Sequence, residues 1–555
     1  MRKQNLLSIF ALLVLFIVFY TLHPVFAETV KVRHSTDESG KVFLVDKKEA
    51  GTYVNPLCLP SIPVVATSDK GKIPDNPLAL GEMILKGLPE THKRFETLFG
   101  GLIPYICEND TRQTADPSGF YYHGTWYIYG SQGALWSSKD FIDWDFTDLG
   151  YAYTMAPTIA VRTGDDGKDT FYLAGNSTEL FVSDHPEGKF TSLGAFTYDN
   201  RNITPQNNDV NIFVDDDNRM YLYWGMGPGI YGAELDVDNP TKLLTEPRQL
   251  IAFNPANEYE RFGQHNQDWE NGFPEGAWML KYHGTYYLTW ATAGTQYDTY
   301  CIGAYKSSTG PLEGFKIQKR PVTRNVNGFV RGGGHGSVVI GPNDTLWCFY
   351  TVNIGYEGDM ERRLGCDPAA IDENGDLYVP LFHETPQYVP GIMSHPDVKN
   401  DADLVNITAR QGYYPSSYSE GRHPVYALDD STLTWWQPSA KDKQPSFLVS
   451  LQGNYYVSSV RLLFKEVGFD MASGDMPGPF QYKVEVMDRK DGTWKSLIDR
   501  TGNTEDLIMD YRTSDTPAYG QFVRLTITGW PEGITPGVVE FTCFGESAGK
   551  QDTGR

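Results

Sequence analysis

The chain has 555 residues, a formal charge of −23 and an aromatic content of 14%. That length exceeds one ordinary hydrophobic core and predicts two to four domains; the acidic balance excludes nucleic acid and anionic membrane surfaces as expected partners, because both require basic patches. The six cysteines are scattered, with no CxxC and no histidine at ligand spacing, so no zinc site is expected, while a disulfide or two stays open for an exported chain.

In chain order, residues 1–27 read as a secretory signal peptide. Arg2 and Lys3 form a basic start, Leu6 to Tyr20 an apolar run, and Val25-Phe26-Ala27 a small-residue cleavage site. The run is short for a membrane span of roughly 20 residues, so a secreted or periplasmic protein without a span after cleavage is expected. Residues 28–99 mix proline and glycine and predict an extended N-terminal segment lying on the domain that follows.

From about residue 100 to 382 one pattern recurs. "GFYYHGTWYIYGS" starts at Gly119, "GKDTFYLAGNS" at Gly167, "NDVNIFVDDDNRMYLYWG" at Asn208, "MLKYHGTYYLTWA" at Met279 and "VVIGPNDTLWCFYT" at Val338. Each is a strand, a short turn of Gly, Asp or Asn, and a second strand with alternating aromatics. A small sheet repeated at this interval cannot cover its own faces, which predicts a five-bladed β-propeller over 100–382. A β-sandwich of the same hairpins is the alternative, but "LWSSKDFIDWDF", "LFVSDHPEGKF" and "GAYKSSTGPLEGF" also repeat as third strands. Residues 383–402 read as a linker, and 403–545 as a second all-β unit, a β-sandwich, with strands such as "VSSVRLLF" and "QFVRLTITG".

Three carboxylates stand at or just ahead of these hairpins: Asp116 in "TADPSGFYYHG", Asp209 in "NDVNIFVDDD" and Glu275 in "GFPEGAWMLKYHG". Strands of a propeller converge on its axis, so acids distant in sequence can share one funnel. Such a set suits glycoside hydrolysis, in which one carboxyl keeps a proton for the leaving oxygen and another stays ionised to activate water; a third can raise the acid's proton affinity. Asp215 to Asp217 lie in a hairpin turn and read as solvent-facing structural residues.

The stretch from about 105 to 382 resembles the catalytic domain of glycoside hydrolase family 43, whose members are five-bladed propellers and inverting enzymes. The residues that carry the resemblance are "ADPSGFYYHGTWYIYGS" with "SSKDFIDW", "APTI" with "FYLAGNS", "NDVNIFVDDDNRMYLYWG", "EGAWMLKYHGTYYLTWA" with "STGPLEGF", and "GGGHGSVVIGPNDTLWCFY". The resemblance implies Asp116 as general base, Asp209 as the residue that tunes and orients the acid, and Glu275 as general acid. It implies no cofactor for the chemistry, and a structural calcium ion beside His335. It also implies a substrate-binding arginine at Arg362 or Arg363, with Arg362 carried forward and the inward-facing one left open. The chain departs from the family at Met155-Ala156-Pro157-Thr158, where Trp-Ala-Pro and an acid are common, and at Ala277, where proline is common. Trp278, beside the latter, is a candidate substrate contact.

Residues 405–545 resemble a coagulation factor 5/8 type C domain, a discoidin-like jelly roll also found as a carbohydrate-binding module. The segments are "VYALDDSTLTWWQPS", "SFLVSLQGNYYVSSVRLLF", "FQYKVEVMDRKDGTWKSL", "GQFVRLTITG" and "GVVEFTCFG". Here Trp435 and Trp436 are expected in packing, and Asp429 or Asp430 with Glu540 as a second calcium candidate. The functional expectation is an inverting exo-glycosidase that removes terminal sugars from plant-type polysaccharides or oligosaccharides, foremost an α-L-arabinofuranosidase. A β-xylosidase or β-galactosidase of the same family, and a non-catalytic carbohydrate-binding protein, are the alternatives.

Overall fold

The computed structural model describes residues 51–62, 114–149, 155–175, 179–203, 209–227, 229–355, 361–391, 404–468 and 478–549, and the backbone of a hairpin of Lys31–Thr36 with Val42–Asp46. The signal peptide, most of the 28–99 segment, Cys107 and residues 392–402 of the expected linker lie outside the described residues. No helix among the described residues is long and apolar enough to cross a membrane.

Five sheets follow one another among the described residues, and the arrangement is propeller-like. Four are four-stranded meanders, starting at Ser118–Tyr122, Thr158–Thr163, Glu275–Tyr282 and Gly334–Gly341. The third, starting at Asn211–Val214, has seven strands because Thr197–Tyr198, Arg201–Asn202 and Arg248–Ala252 join its meander. The first strands of successive sheets touch one another, and that of the fifth touches that of the first, so they close a ring.

Alternation along the strands explains why the ring closes. In the first sheet Trp126 and Ile128 face the fifth sheet's Trp347 and Phe349, whereas Tyr127 and Tyr129 face the second sheet's Phe171 and Leu173. In the third, Met220, Leu222 and Trp224 pack toward Tyr172 and Ala174, and Tyr221 and Tyr223 toward Met279 and Trp290. Each strand thus supplies one face to either neighbour, the period of two expected of a strand buried on both sides. Truncating one of these buried aromatics would cost about 3–5 kcal/mol.

The acidic turn is not wholly solvent-facing. Asp216 and Asp217 are exposed, but the buried Asp215 accepts Lys281 Nζ at 2.6 Å and Tyr286 Oη at 2.7 Å from the fourth sheet. The turn sits at the seam between two sheets, where a local turn signal carries no information about the neighbour. The five described cysteines are free thiols, four of them buried, so none of the expected disulfides forms among the described residues.

The C-terminal unit is a second all-β structure. Its long strands Ser446–Val467 and Met509–Gly529 pair with each other, and the first also pairs with Thr535–Ser547, with register shifts along the way. They fold over a core of Trp436, Phe447, Val449, Leu462, Val484, Leu525 and Phe541. Trp436 is fully buried and donates its indole N–H to the Ser417 carbonyl at 3.0 Å, while the half-buried Trp435 lies under the Arg422 guanidinium.

Residues 51–62 clasp the two units together. Thr52–Tyr53 pair with Gln387–Tyr388, and Asn55 exchanges bonds with both the N–H and the carbonyl of Cys366 in the fifth sheet. The Asn55 carbonyl in turn accepts Arg461 of the C-terminal unit, and Cys58 Sγ donates to the Met509 carbonyl. Residues 383–391 are equally engaged: His383 Nδ1 lies 2.8 Å from the buried Asp367.

Candidate active site

A recurring backbone device builds the site. Two positions before the first strand of each of the first three sheets, the chain takes a left-handed conformation: φ is 57° at Asp116, 48° at Ala156 and 50° at Asp209. In the fourth sheet Gly276, directly after Glu275, does so at 60°. Such conformations are uncommon outside glycine, aspartate being among the better tolerated residues. Each costs of order 1–3 kcal/mol and persists where its surroundings hold it. Here the holding groups are those of the site.

Asp116 and Asp209 are both buried. Ser131 Oγ donates to Asp116 Oδ2 at 2.6 Å, and the Asp116 N–H donates to Thr351 Oγ1 at 2.9 Å. Asp209 Oδ2 accepts the Gly276 N–H at 3.1 Å, which ties it to the residue after Glu275. His335 stands between the two aspartates, with Nδ1 3.4 Å from Asp116 Oδ1 and 3.9 Å from Asp209 Oδ2. A Cβ at position 276 would come within 2.8 Å of the His335 ring, so only glycine allows the two segments to approach this closely. Tyr300 Oη donates to Glu275 Oε1 at 2.5 Å.

The two outer carboxyls are driven in opposite directions. Burial, then the Asp209 and Asp116 charges, push Glu275 well above the usual carboxylate range, against the opposing Tyr300 hydrogen bond and Arg362. Burial also pushes Asp116 up, but His335, Arg362 and the Ser131 hydroxyl together outweigh it and hold the carboxyl below its ordinary value. The surroundings of Glu275 thus favour its protonated form and those of Asp116 its carboxylate, a separation set by environment.

Of the paired arginines, Arg362 reaches inward. Its Nη1 lies 3.8 Å from Asp116 Oδ1 and donates to Thr295 Oγ1 at 3.1 Å, whereas Arg363 turns to Glu361 and to the Arg362 carbonyl. Trp278 is engaged otherwise than expected: its indole N–H donates to the Val338 carbonyl at 2.9 Å, and its ring packs on the cluster around Trp126 and Phe349. Two residues beyond Gly276, it faces the gap between sheets. His335 turns Nδ1 toward Asp116 and Asp209, and calcium, which takes six to eight oxygens, would draw most of its shell beside this imidazole from water. Among the described residues no group of three or more His, Cys, Asp or Glu side chains is arranged around a metal position, and that includes Asp429, Asp430 and Glu540.

Ser131, Thr295, Tyr300 and Thr351 were not anticipated. Ser131 closes the first hairpin phrase and reads like any turn serine; its only positional signal is that it directly follows the strand paired with the one behind Asp116. Its hydroxyl also accepts the Ala156 N–H at 3.0 Å, which links the first two sheets at the site.

Residues 111–375 match the family described as Glycosyl hydrolases family 43. The chain is 25% identical to Xylosidase/arabinosidase 43A of Humicola insolens, over 33% of this chain and 74% of that protein. It is 22% identical to Beta-D-galactofuranosidase xynD of Aspergillus niger, over 47% and 81%. A solved structure described as a glycoside hydrolase superposes with a TM-score of 0.45 at 19% identity, covering 79% of this chain and 98% of that one. The family match, together with the two curated glycosidase relatives, defines a glycoside hydrolase. Its residues 111–375 form a glycosyl hydrolase family 43 domain.

Proposed function

We propose that the protein is an inverting exo-glycosidase, secreted or periplasmic, that removes terminal α-L-arabinofuranose from plant-type polysaccharides or oligosaccharides. The observation that carries this reading is the convergence of three carboxyls on one centre, with His335 between Asp116 and Asp209, the Gly276 N–H next to Glu275 on Asp209, and Arg362 facing Asp116. Glu275 gives its proton to the glycosidic oxygen as the C–O bond breaks. Asp116 takes a proton from a water that attacks the opposite face of the sugar ring, and one displacement inverts the anomeric centre. Asp209 stays beside the acid, raising its proton affinity and fixing the Glu275–Gly276 backbone. Arg362 is the candidate contact for a sugar hydroxyl.

We read the five successive sheets as five blades and the C-terminal unit as a discoidin-like carbohydrate-binding module. The activities for which the relatives are named, a xylosidase/arabinosidase, a galactofuranosidase and a β-xylosidase of Xylanibacter ruminicola, support a furanose or xylose specificity. They also favour β-xylosidase as the second reading. Incubation with arabinan, arabinoxylan, arabinogalactan and pectin, with the released monosaccharide identified by chromatography, tests the choice. Arabinose release supports the first reading and xylose release the second. Proton NMR of the first product tests inversion, and retention would overturn the mechanism.

A further inference from the structure

A file of buried charges and one shared carbonyl join the C-terminal unit to the catalytic aspartate. Lys465, on the long strand Ser446–Val467, donates Nζ to Glu361 Oε2 at 2.7 Å across the seam. Glu361 is buried, and its other oxygen accepts Arg363 Nη2 at 3.2 Å. Arg363 Nη1 then donates to the Arg362 carbonyl at 2.7 Å, and the same carbonyl accepts the N–H of Thr114, two residues before Asp116, at 3.2 Å. The Glu361 carbonyl is held as well, by the N–H groups of Ile354 and Gly355. These links are all hydrogen bonds, and the file ends in an ion pair, where Arg362 Nη1 faces Asp116 Oδ1 at 3.8 Å.

We infer that Lys465 is a positioning residue for catalysis: by neutralising Glu361 across the seam, the C-terminal unit fixes the peptide that aims Arg362 at Asp116. A carboxylate this buried keeps its charge only with cationic partners. Removing the lysine leaves Arg363 alone to compensate Glu361, and Arg363 is the group that clamps the Arg362 carbonyl. The clamp then loosens and Arg362 swings relative to Asp116, which lowers turnover, and away from the sugar hydroxyl proposed for it, which raises KM to a smaller extent. On this account the C-terminal unit is part of the catalytic machinery and not merely an appended module.

The inference rests on the assignment of Asp116 as base. The test uses full-length protein on whichever nitrophenyl glycoside the wild type turns over fastest. Lys465→Met is expected to lower kcat about tenfold, within the roughly hundredfold that a 1 Å misplacement can cost, with KM changed less than about threefold. Lys465→Arg, which keeps the charge, should restore most of the rate. In an Arg362→Lys background the Lys465→Met change should have little further effect, because both act through one arrangement. An unchanged kcat in folded Lys465→Met protein, or an equal loss in both backgrounds, overturns the inference. Should Lys465→Met not accumulate folded, Glu361→Gln carries the same expectation and the same overturning results. Asp116→Asn measured alongside separates the two claims. An active Asp116→Asn protein would defeat the assignment of the base, and an inactive one beside a normal Lys465→Met protein would defeat the positioning role alone.

Discussion

The ring of sheets and the C-terminal unit obey the same strand alternation, yet they bury charge differently. In the ring, Asp116, Asp209 and Glu275 lie at or just ahead of strand starts, beside His335 and Arg362. In the C-terminal unit, Arg461 and Glu540 lie within strands and turn toward the seam. Arg461 donates to the carbonyls of Asn55 and Glu384 and to Thr542 Oγ1, while Glu540 accepts the Asp430 N–H and has a second oxygen without a protein partner. The first arrangement leaves like charges crowded together and is chemically useful because it is unfavourable. The second pairs a cation with fixed carbonyl dipoles and serves docking. The difference is sharpest between Glu275, whose neighbouring carboxylates oppose its charge, and Arg461, whose carbonyl partners answer it.

The sharpest way to break this comparison is to remove charge from each region. Glu275→Gln should lower kcat at least roughly a hundredfold, since general acid catalysis contributes about 10² to 10⁴, while binding of the released sugar, followed by calorimetry, persists. Arg461→Met should leave the rate of the folded fraction near wild type but destabilise the protein by about 3–5 kcal/mol, as expected when one partner of a buried charged network is lost; urea denaturation measures it. A rate loss matching that of Glu275→Gln would erase the distinction. The clasp sharpens it further. Asn55→Ala removes three buried bonds, to Cys366 and Tyr350, and should cost about 1–3 kcal/mol by the same assay.

The smallest expected effect is on the pH dependence of stability. Glu275 has a folded-state proton affinity raised by burial and by Asp209 and Asp116. Its contribution is therefore fully present below its unfolded pKa of about 4.3 and is lost as pH rises through the raised folded value. Glu275→Gln should accordingly gain a few degrees in Tm relative to wild type as pH rises above that point. Asp116 has the opposite sign: its lowered value gives stability above about pH 3.9 that is lost as pH falls through the folded value. A Tm difference that does not change with pH would show that the surroundings of Glu275 do not oppose its charge.

Much of this molecule was legible along the chain because its determinants are local. The alternation in "TWYIYG" and "MYLYW", the turn residues between strands, and acids placed at or just ahead of strand starts are properties of a few neighbouring residues. They sufficed for the all-β class and the repeated sheets, whereas the three acids stood out from surface carboxylates only through the family resemblance. What only the tertiary structure decided depends on which remote segment lies opposite. That Arg362 and not Arg363 faces Asp116, that Trp278 packs between sheets, that Asp215 is sealed by Lys281 and Tyr286, and that Lys465 answers Glu361 across 104 positions are all settled by packing. A charged or aromatic side chain looks the same in sequence whether it is solvated, paired or catalytic; the desolvation that distinguishes these fates exists only once distant strands have closed around it.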